Sequence, residues 1–238
     1  MKTIGIIGGL TWVSTIDYYR LLNEMINEKL GGNETAKILL YSVNFGEIKR
    51  LTETNDWPAL AAIMREKAKL IEAAGADCLL LGANTMHHIA DEVQAVIKIP
   101  LIHIAEETAK AIEAKRMKTV ALLGTKYTMQ LNFFKNKLLR KNITTLIPAE
   151  DEINYINQAI YNEMSKSLFL PATKNRFIEI IHRLIHKGAE GIILGCTEIP
   201  LLIKQEDAAV PLFDTTLIHA TAAVEYALNT GNQIVNSL

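Results

Sequence analysis

The chain has 238 residues, a formal net charge of −1 and 49% apolar residues. That length accommodates two small α/β domains or one large one, with enough apolar content for a substantial core. Near-neutral charge argues against a nucleic-acid or polybasic membrane partner, and no apolar run approaches the roughly 18–20 residues of a membrane span. The opening IGIIGGL is short, soon turns polar and lacks a cleavage pattern, so it reads as a first strand rather than a signal peptide. Two cysteines do not make a disulfide framework, and the expected compartment is the cytoplasm.

Residues 3–7 form an apolar run ending at Gly8-Gly9, a buried strand followed by a glycine turn. Ser14-Thr15-Ile16-Asp17 has the spacing of a helix start. Ile16, Tyr19, Leu22, Ile26 and Leu30 recur at helical spacing, Gly31-Gly32 stops the helix, and Tyr18 and Tyr19 are expected in the core. Residues 37–43 are the second strand. Glu47-Ile48-Lys49-Arg50 reads as a solvated face from which Arg50 or Thr52 reaches a carboxylate. Asn55 or Asp56 caps the next helix, with Pro58 in its first turn and Gly75 at its end. Residues 78–82 are the third strand. Asn84 or Thr85 caps a helix running to about residue 97, residues 99–103 are a short fourth strand, and residues 104–114 are helical.

The pattern then starts again. MKTIGIIG at residues 1–8 resembles MKTVALLG at 117–124, and Tyr18-Tyr19 resembles Phe133-Phe134. GADCLLLGAN at 75–84 matches GAEGIILGCT at 188–197 position for position, and IPLIH at 99–103 resembles VPLFD at 210–214. Four matched segments in the same order indicate a duplicated half. Strands that alternate with helices and lack polar alternation imply parallel sheets covered on both faces. The expected fold is therefore α/β, with two similar parallel-sheet domains related by a pseudo-twofold. One comprises residues 1–103 plus about 215–238, and the other residues 104–214. The helix at 218–228 is expected to pack back on the first half. Ligands of such sheets bind beyond the carboxyl ends of the strands, which places Ala83 and its counterpart Cys196 across one cleft.

Cys196 carries the chemistry that this pair offers. A thiol at a helix N-terminus has its thiolate favoured by free N–H groups, from an ordinary pKa of about 8.5, which makes it a candidate base or nucleophile. Cys78 lies at the start of its strand, with the wrong parity to share a face with Ala83, and reads as core. Asn84, Thr85, Thr197 and Glu198 are short polar residues at helix starts, serving as caps or as holders of a substrate carboxylate. Gly8-Gly9 and the segment from Gly124 to Thr128 end matching strands and line the same cleft, yet fit no dinucleotide or phosphate-loop fingerprint. His87, His88 and His103 lack metal-site spacing and read as surface or capping residues, one of His87 and His88 approaching the site; His219 is a weaker rim candidate.

At these residues the chain resembles the cofactor-independent aspartate/glutamate racemase family. The likeness rests on IGIIGGLTWVSTIDYY at residues 4–19, ANTMH at 83–87, LLGTKYTM at 122–129, GCTEIPLL at 195–202 and FDTTLIHA at 213–220. It implies two similar α/β domains, an active site between them, usually a dimer, and no pyridoxal phosphate or metal. The implied chemistry uses two facing cysteines: one thiolate removes the α-proton of an acidic amino acid, and the other thiol returns a proton to the opposite face. Carried over, Cys196 is the second cysteine. Asn84, Thr85, Thr197 and Glu198 match residues that bind the carboxylates and line the site. Thr125, Tyr127 and Thr128 match a second substrate loop, and Leu10 and Thr52 complete the implied binding set. Position 83 departs, since alanine neither gives nor takes a proton, and Thr52 stands where relatives carry glutamine. The implied function is racemisation of aspartate or glutamate with Cys196 as acid/base. Three alternatives stay open: a decarboxylase or isomerase of a small dicarboxylic acid using Cys196 alone, a degenerate dicarboxylate-binding paralogue, or an introduced change at position 83.

Overall fold

The computed structural model describes residues 1–229 and holds two parallel sheets. In the first, β1 (Ile4–Gly8) lies between β2 (Ile38–Ser42) and β3 (Cys78–Leu81). In the second, β4 (Thr119–Gly124) is followed outward on one side by β5 (Thr144–Leu146) and on the other by β6 (Gly191–Gly195) and β7 (Leu212–Asp214). The central strands are aliphatic along their length because helices cover both faces. The duplication extends to register. Ile4 pairs with Cys78 as Val120 pairs with Gly191, and Leu79 pairs with Leu101 as Ile192 pairs with Leu212.

The helices of the first half are α1 (Trp12–Leu30), α2 (Phe45–Glu53), α3 (Trp57–Ala73), α4 (Ala90–Gln94) and α5 (Ile104–Ala114). Those of the second are α6 (Lys126–Gln130), α7 (Asn132–Leu139), α8 (Glu150–Asn162), α9 (Pro171–His186), α10 (Ile199–Leu202) and α11 (Thr215–Leu228). One face of the first sheet packs on α3. The other packs Ile4, Ile6 and Leu80 against Tyr18, Leu22 and Ile26 of α1 and Ala220, Ala223 and Val224 of α11, so the last helix returns to the first half as expected. The second core gathers β4, β6, α8 and α9, together with Ile104, Ala109 and Ile112 of α5. Gly9, at φ +73°, makes the turn after β1; a side chain there would meet the Val43 carbonyl at 2.2 Å.

Several expectations are corrected. Helix α1 begins at Trp12, capped by Thr11, whose hydroxyl accepts from the Ser14 N–H; Ser14 is inside the helix. Its buried face runs through Tyr18, Leu22 and Ile26, which turns Ile16, Tyr19 and Leu30 outward. Helix α2 was not anticipated. Asn44 caps it, and Ile48 and Thr52, one turn apart, face inward. Of Asn55 and Asp56, the cap of α3 is Asp56. The helix expected over residues 84–97 is instead a 3₁₀ turn (Thr85–Ile89) running into short α4, with no side-chain cap from Asn84 or Thr85. The expected fourth strand forms a single bridge, Leu79 to Leu101. Glu72 and Gln94 take the N–H groups of Ile99 and Leu101 with their side chains, where a ladder would otherwise extend. Residues 230–238, assigned to the first domain, lie outside the described residues.

Three buried histidines join the end of β3, the start of α5 and α11. His87 lies 4.8 Å from His103 and 5.4 Å from His219, between ring centres. His219 donates from Nε2 to the Ile102 carbonyl (2.7 Å), so its Nδ1 accepts from the Tyr18 hydroxyl (2.8 Å). His87 donates from Nδ1 to the Ala83 carbonyl (3.1 Å), and His103 Nδ1 caps α5 by accepting from the Ala105 N–H. Burial holds all three neutral, His87 to about 4, His103 to about 2 and His219 to about 3; His103 is lowered further by His87, Lys137 and His219. The unfolded chain takes up these protons near pH 6.5, whereas the fold does so only near pH 4 or below. Their stabilising effect is thus complete above pH 6.5 and is lost on acidification, by at most about 1.4 kcal/mol per histidine per pH unit. Urea unfolding should show it. His103→Asn, which keeps a capping acceptor, should lose less stability than the wild type between about pH 7 and pH 5, and equal losses would refute the assignment.

Candidate active site

The carboxyl ends of β1, β3, β4 and β6 converge on one cavity, where parallel sheets bind ligands. The first half lines it with Leu10, Thr11, Ala83, Asn84 and Thr85, and with Phe45, Ile48, Lys49 and Thr52 of α2. The second half lines it with Thr125, Cys196, Thr197 and Glu198, and with Ile160 and Tyr161 of α8. Cys196 owes its place to two glycines. Gly124 and Gly195 end neighbouring strands so closely that a Cβ on Gly124 would lie 2.6 Å from the Gly195 carbonyl.

Glu198 is the centre of the polar network. It is 2% exposed and accepts three hydrogen bonds: from Thr11 Oγ1 at Oε1, and from Cys196 Sγ and Thr197 Oγ1 at Oε2, both at 2.9 Å. Burial pushes the Cys196 thiol well above its ordinary range, and the Glu198 carboxylate beside it pushes further. The N–H groups of Thr197 and Glu198 act the other way, as the sequence suggests, but they are outweighed. Helix α10 is a single turn, too short for its dipole to reverse that balance. Cys196 therefore rests as a thiol whose proton is directed at Glu198.

Hydroxyl groups hold the two halves together around this pair. Thr85 Oγ1 meets Thr125 Oγ1 at 2.8 Å, and both contact Thr128 Oγ1, at 3.3 and 3.1 Å. Asn84 makes no cap to the 3₁₀ turn; its Nδ2 donates to Thr215 Oγ1 (3.0 Å), which in turn donates to the Leu194 carbonyl (2.8 Å). Over the cavity, Phe45 stacks on Tyr161 (centroids 6.3 Å apart, planes at 10°), with Lys49 Nζ 5.6 Å from the same tyrosine ring.

Of the residues nominated from sequence, Leu10, Thr52, Ala83, Asn84, Thr85, Thr125, Cys196, Thr197 and Glu198 all line this cavity. Tyr127 and Thr128 do not. Tyr127 packs edge-on against Trp57, and Thr128 stands behind Thr125 and Thr85. Arg50 is exposed, whereas Lys49, read as part of a solvated face, lines the cavity. His87 donates to the Ala83 carbonyl and does not line the cavity, His88 packs on Trp57 and Phe133, and His219 is fully buried away from the cavity. Cys78 is core, as expected. Sequence reasoning missed Thr11, Phe45, Lys49, Ile160 and Tyr161. Asn44 as cap with Glu47 three residues on signalled α2, and with it Phe45 and Lys49; nothing local marked α8. Among the described residues no group of three or more His, Cys, Asp or Glu is placed to hold a metal ion, and no helix is long and apolar enough to cross a membrane.

Comparison with known proteins supplies the family. The Asp/Glu/hydantoin racemase family matches residues 7–223. A candidate Asp/Glu racemase from Yersinia pestis has a structure similar to this one, with TM-score 0.89 and 41% identity over 96% of this chain and 100% of that one. An aspartate racemase homologue from Pyrococcus horikoshii is similar at TM-score 0.82 and 36% identity, over 95% of this chain and 99% of that one. The broad specificity amino-acid racemase RacX of Bacillus subtilis is 28% identical over 159 residues, which span 65% of this chain and 66% of RacX. The duplicated parallel sheets, with the strand ends gathered on one cavity, belong to this chain as a member of the Asp/Glu/hydantoin racemase family.

Proposed function

We propose that the protein is a racemase-type enzyme that takes and returns the α-proton of aspartate or glutamate without a cofactor, with Cys196 as acid/base. The observation that carries this reading is the buried Cys196–Glu198 pair in the cavity at the strand ends. When sulfur acts as base, its proton passes to Glu198 Oε2, 2.9 Å away, and the thiolate takes the α-proton. When it acts as acid, the thiol gives a proton to the carbanion and Glu198 returns its own to the sulfur, and exchange of these two protons with solvent carries deuterium into the amino acid. Thr52, Thr85, Thr125 and Thr197 offer hydroxyls to the carboxylates. Lys49 is the cation lining the cavity. It is held loosely by Glu53 (3.6 Å) and is 35% exposed, so it is free to turn to the distal carboxylate of an acidic substrate. On this reading the substrate lies between a unit of residues 1–103 with the last helix and a unit of residues 104–214, in a cytoplasmic homodimer.

Ala83 sets the stereochemistry. Its methyl group has no proton to deliver to the opposite face of the carbanion, so exchange on the Cys196 face should outrun inversion. Proton NMR of aspartate and glutamate in deuterated water should show loss of the α-proton signal faster than chiral analysis shows the other enantiomer. One positioned acid/base contributes about 10²–10⁴-fold, so Cys196→Ala should lose exchange by at least about 10²-fold while unfolding normally. Retained exchange in that variant would remove Cys196 from the mechanism. Absence of exchange in the wild type, with carbon dioxide released from a substituted malonate, would favour a decarboxylase instead.

The thiol has its own test. Glu198→Gln removes the negative charge that helps hold Cys196 protonated, so iodoacetamide should alkylate Cys196 faster in the variant at about pH 8. Peptide mapping separates this from Cys78, which burial pushes to about 12. An unchanged or slower rate would show that Glu198 does not act on the thiol.

A further inference from the structure

Thr11 stands in the first half of the chain, at the N-cap of α1, and Glu198 in the second, two residues after Cys196. Thr11 lines the cavity, is 6% exposed, and was not among the residues that the sequence marked. Its oxygen accepts the Ser14 N–H (3.2 Å), which leaves its single proton to give. Two acceptors are within reach, the Ser14 hydroxyl at 3.1 Å and Glu198 Oε1. The carboxylate is the stronger acceptor and has no proton to offer in return. Ser14 meanwhile gives its own hydroxyl proton to the Thr11 carbonyl (3.1 Å). One carboxylate oxygen of Glu198 is thereby fixed across the cleft, and the other lies 2.9 Å from both the Cys196 sulfur and the Thr197 hydroxyl.

We propose that Thr11 is a positioning residue for the reaction: by holding Glu198 Oε1 from the opposite half, it aims Oε2 at the Cys196 thiol. This rests on the reading of Cys196 and Glu198 as the reacting pair. It assigns to the N-cap of α1 a second task, unrelated to the stability of the helix. It also makes the alignment of acid and acceptor depend on the two halves being together. A Glu198 without Thr11 keeps only the Thr197 and Cys196 contacts, both on one oxygen, and its carboxylate is free to swing about its terminal torsion.

Alkylation of Cys196 by iodoacetamide tests this without any amino-acid substrate. The readout is the ratio of rates at about pH 10 and pH 8, which reports ionisation of the thiol and cancels access to it. The other ionisable groups around this pair are Lys49 from α2, Tyr161 from α8 and Tyr18 from α1; desolvation raises both tyrosines above their ordinary range, Tyr18 far above it. Glu198→Gln supplies the reference for a thiol freed of the carboxylate. Thr11→Val should move the ratio toward that reference, and Thr11→Ser, which keeps donor and cap, should restore the wild-type value. Thr11→Val also removes the cap and should lower the urea midpoint, but loss of a cap alone does not change the ionisation ratio. A Thr11→Val ratio equal to the wild type, with lowered stability, overturns the proposal and leaves Thr11 a cap. A shift in the opposite direction overturns it too, since Thr11 would then be shielding the charge of Glu198. If Glu198→Gln itself leaves the ratio unchanged, the Cys196–Glu198 pair fails first and the proposal with it. Absence of amino-acid exchange with the expected thiol ratios would instead fault the substrate alone.

Discussion

The cavity depends on one constraint: Glu198 is a carboxylate buried to 2% exposure, and a buried carboxylate without donors would cost several kcal/mol. Two of its three donors, Thr197 and Cys196, are the residues one and two places before it in sequence. The third, Thr11, comes from the far half of the chain. A local chemical need is thus met by a tertiary contact, and satisfying it requires both halves to be folded and facing one another. The same carboxylate adds to burial in keeping the neighbouring sulfur protonated, because charge beside a buried thiol favours that form.

Around that centre, short polar side chains at the strand ends join the halves. The Thr85, Thr125 and Thr128 hydroxyls form one knot, and Asn84, Thr215 and the Leu194 carbonyl form another. Each hydroxyl is nearly enclosed, so breaking such a contact exposes two groups that have few other partners. The apolar cores run up to this seam, contributing Leu10, Ile48 and Ile160 to the cavity. One lies under the second sheet, and two cover the faces of the first. The division suits a protein that must be rigid in each half and specific where they meet.

The sequence made the duplication legible to the residue. The matched segments at 75–84 and 188–197 predicted that Ala83 and Cys196 end equivalent strands, and the shared register of Ile4–Cys78 and Val120–Gly191 agrees. Nine nominated positions line the cavity because strand ends and their first polar residues are readable from local pattern. What escaped were contacts made at a distance. Ile16 and Tyr19 fit a helical period but lie on the outer side of α1, since the direction of its buried face is set by β1 and α11. Lys49 looks like any lysine in a charged run until α8 is packed against α2. Asn84 looks like a cap, and only the position of Thr215 shows that its amide is engaged elsewhere.

The stacked rings of Phe45 and Tyr161 carry one more consequence. They sit on α2 and α8, so the covering of the cavity is itself a joint between the halves. Phe45 and Tyr161 both line the cavity, so one ring contact is at once part of its wall and a contact between the halves, and losing either ring alters both together.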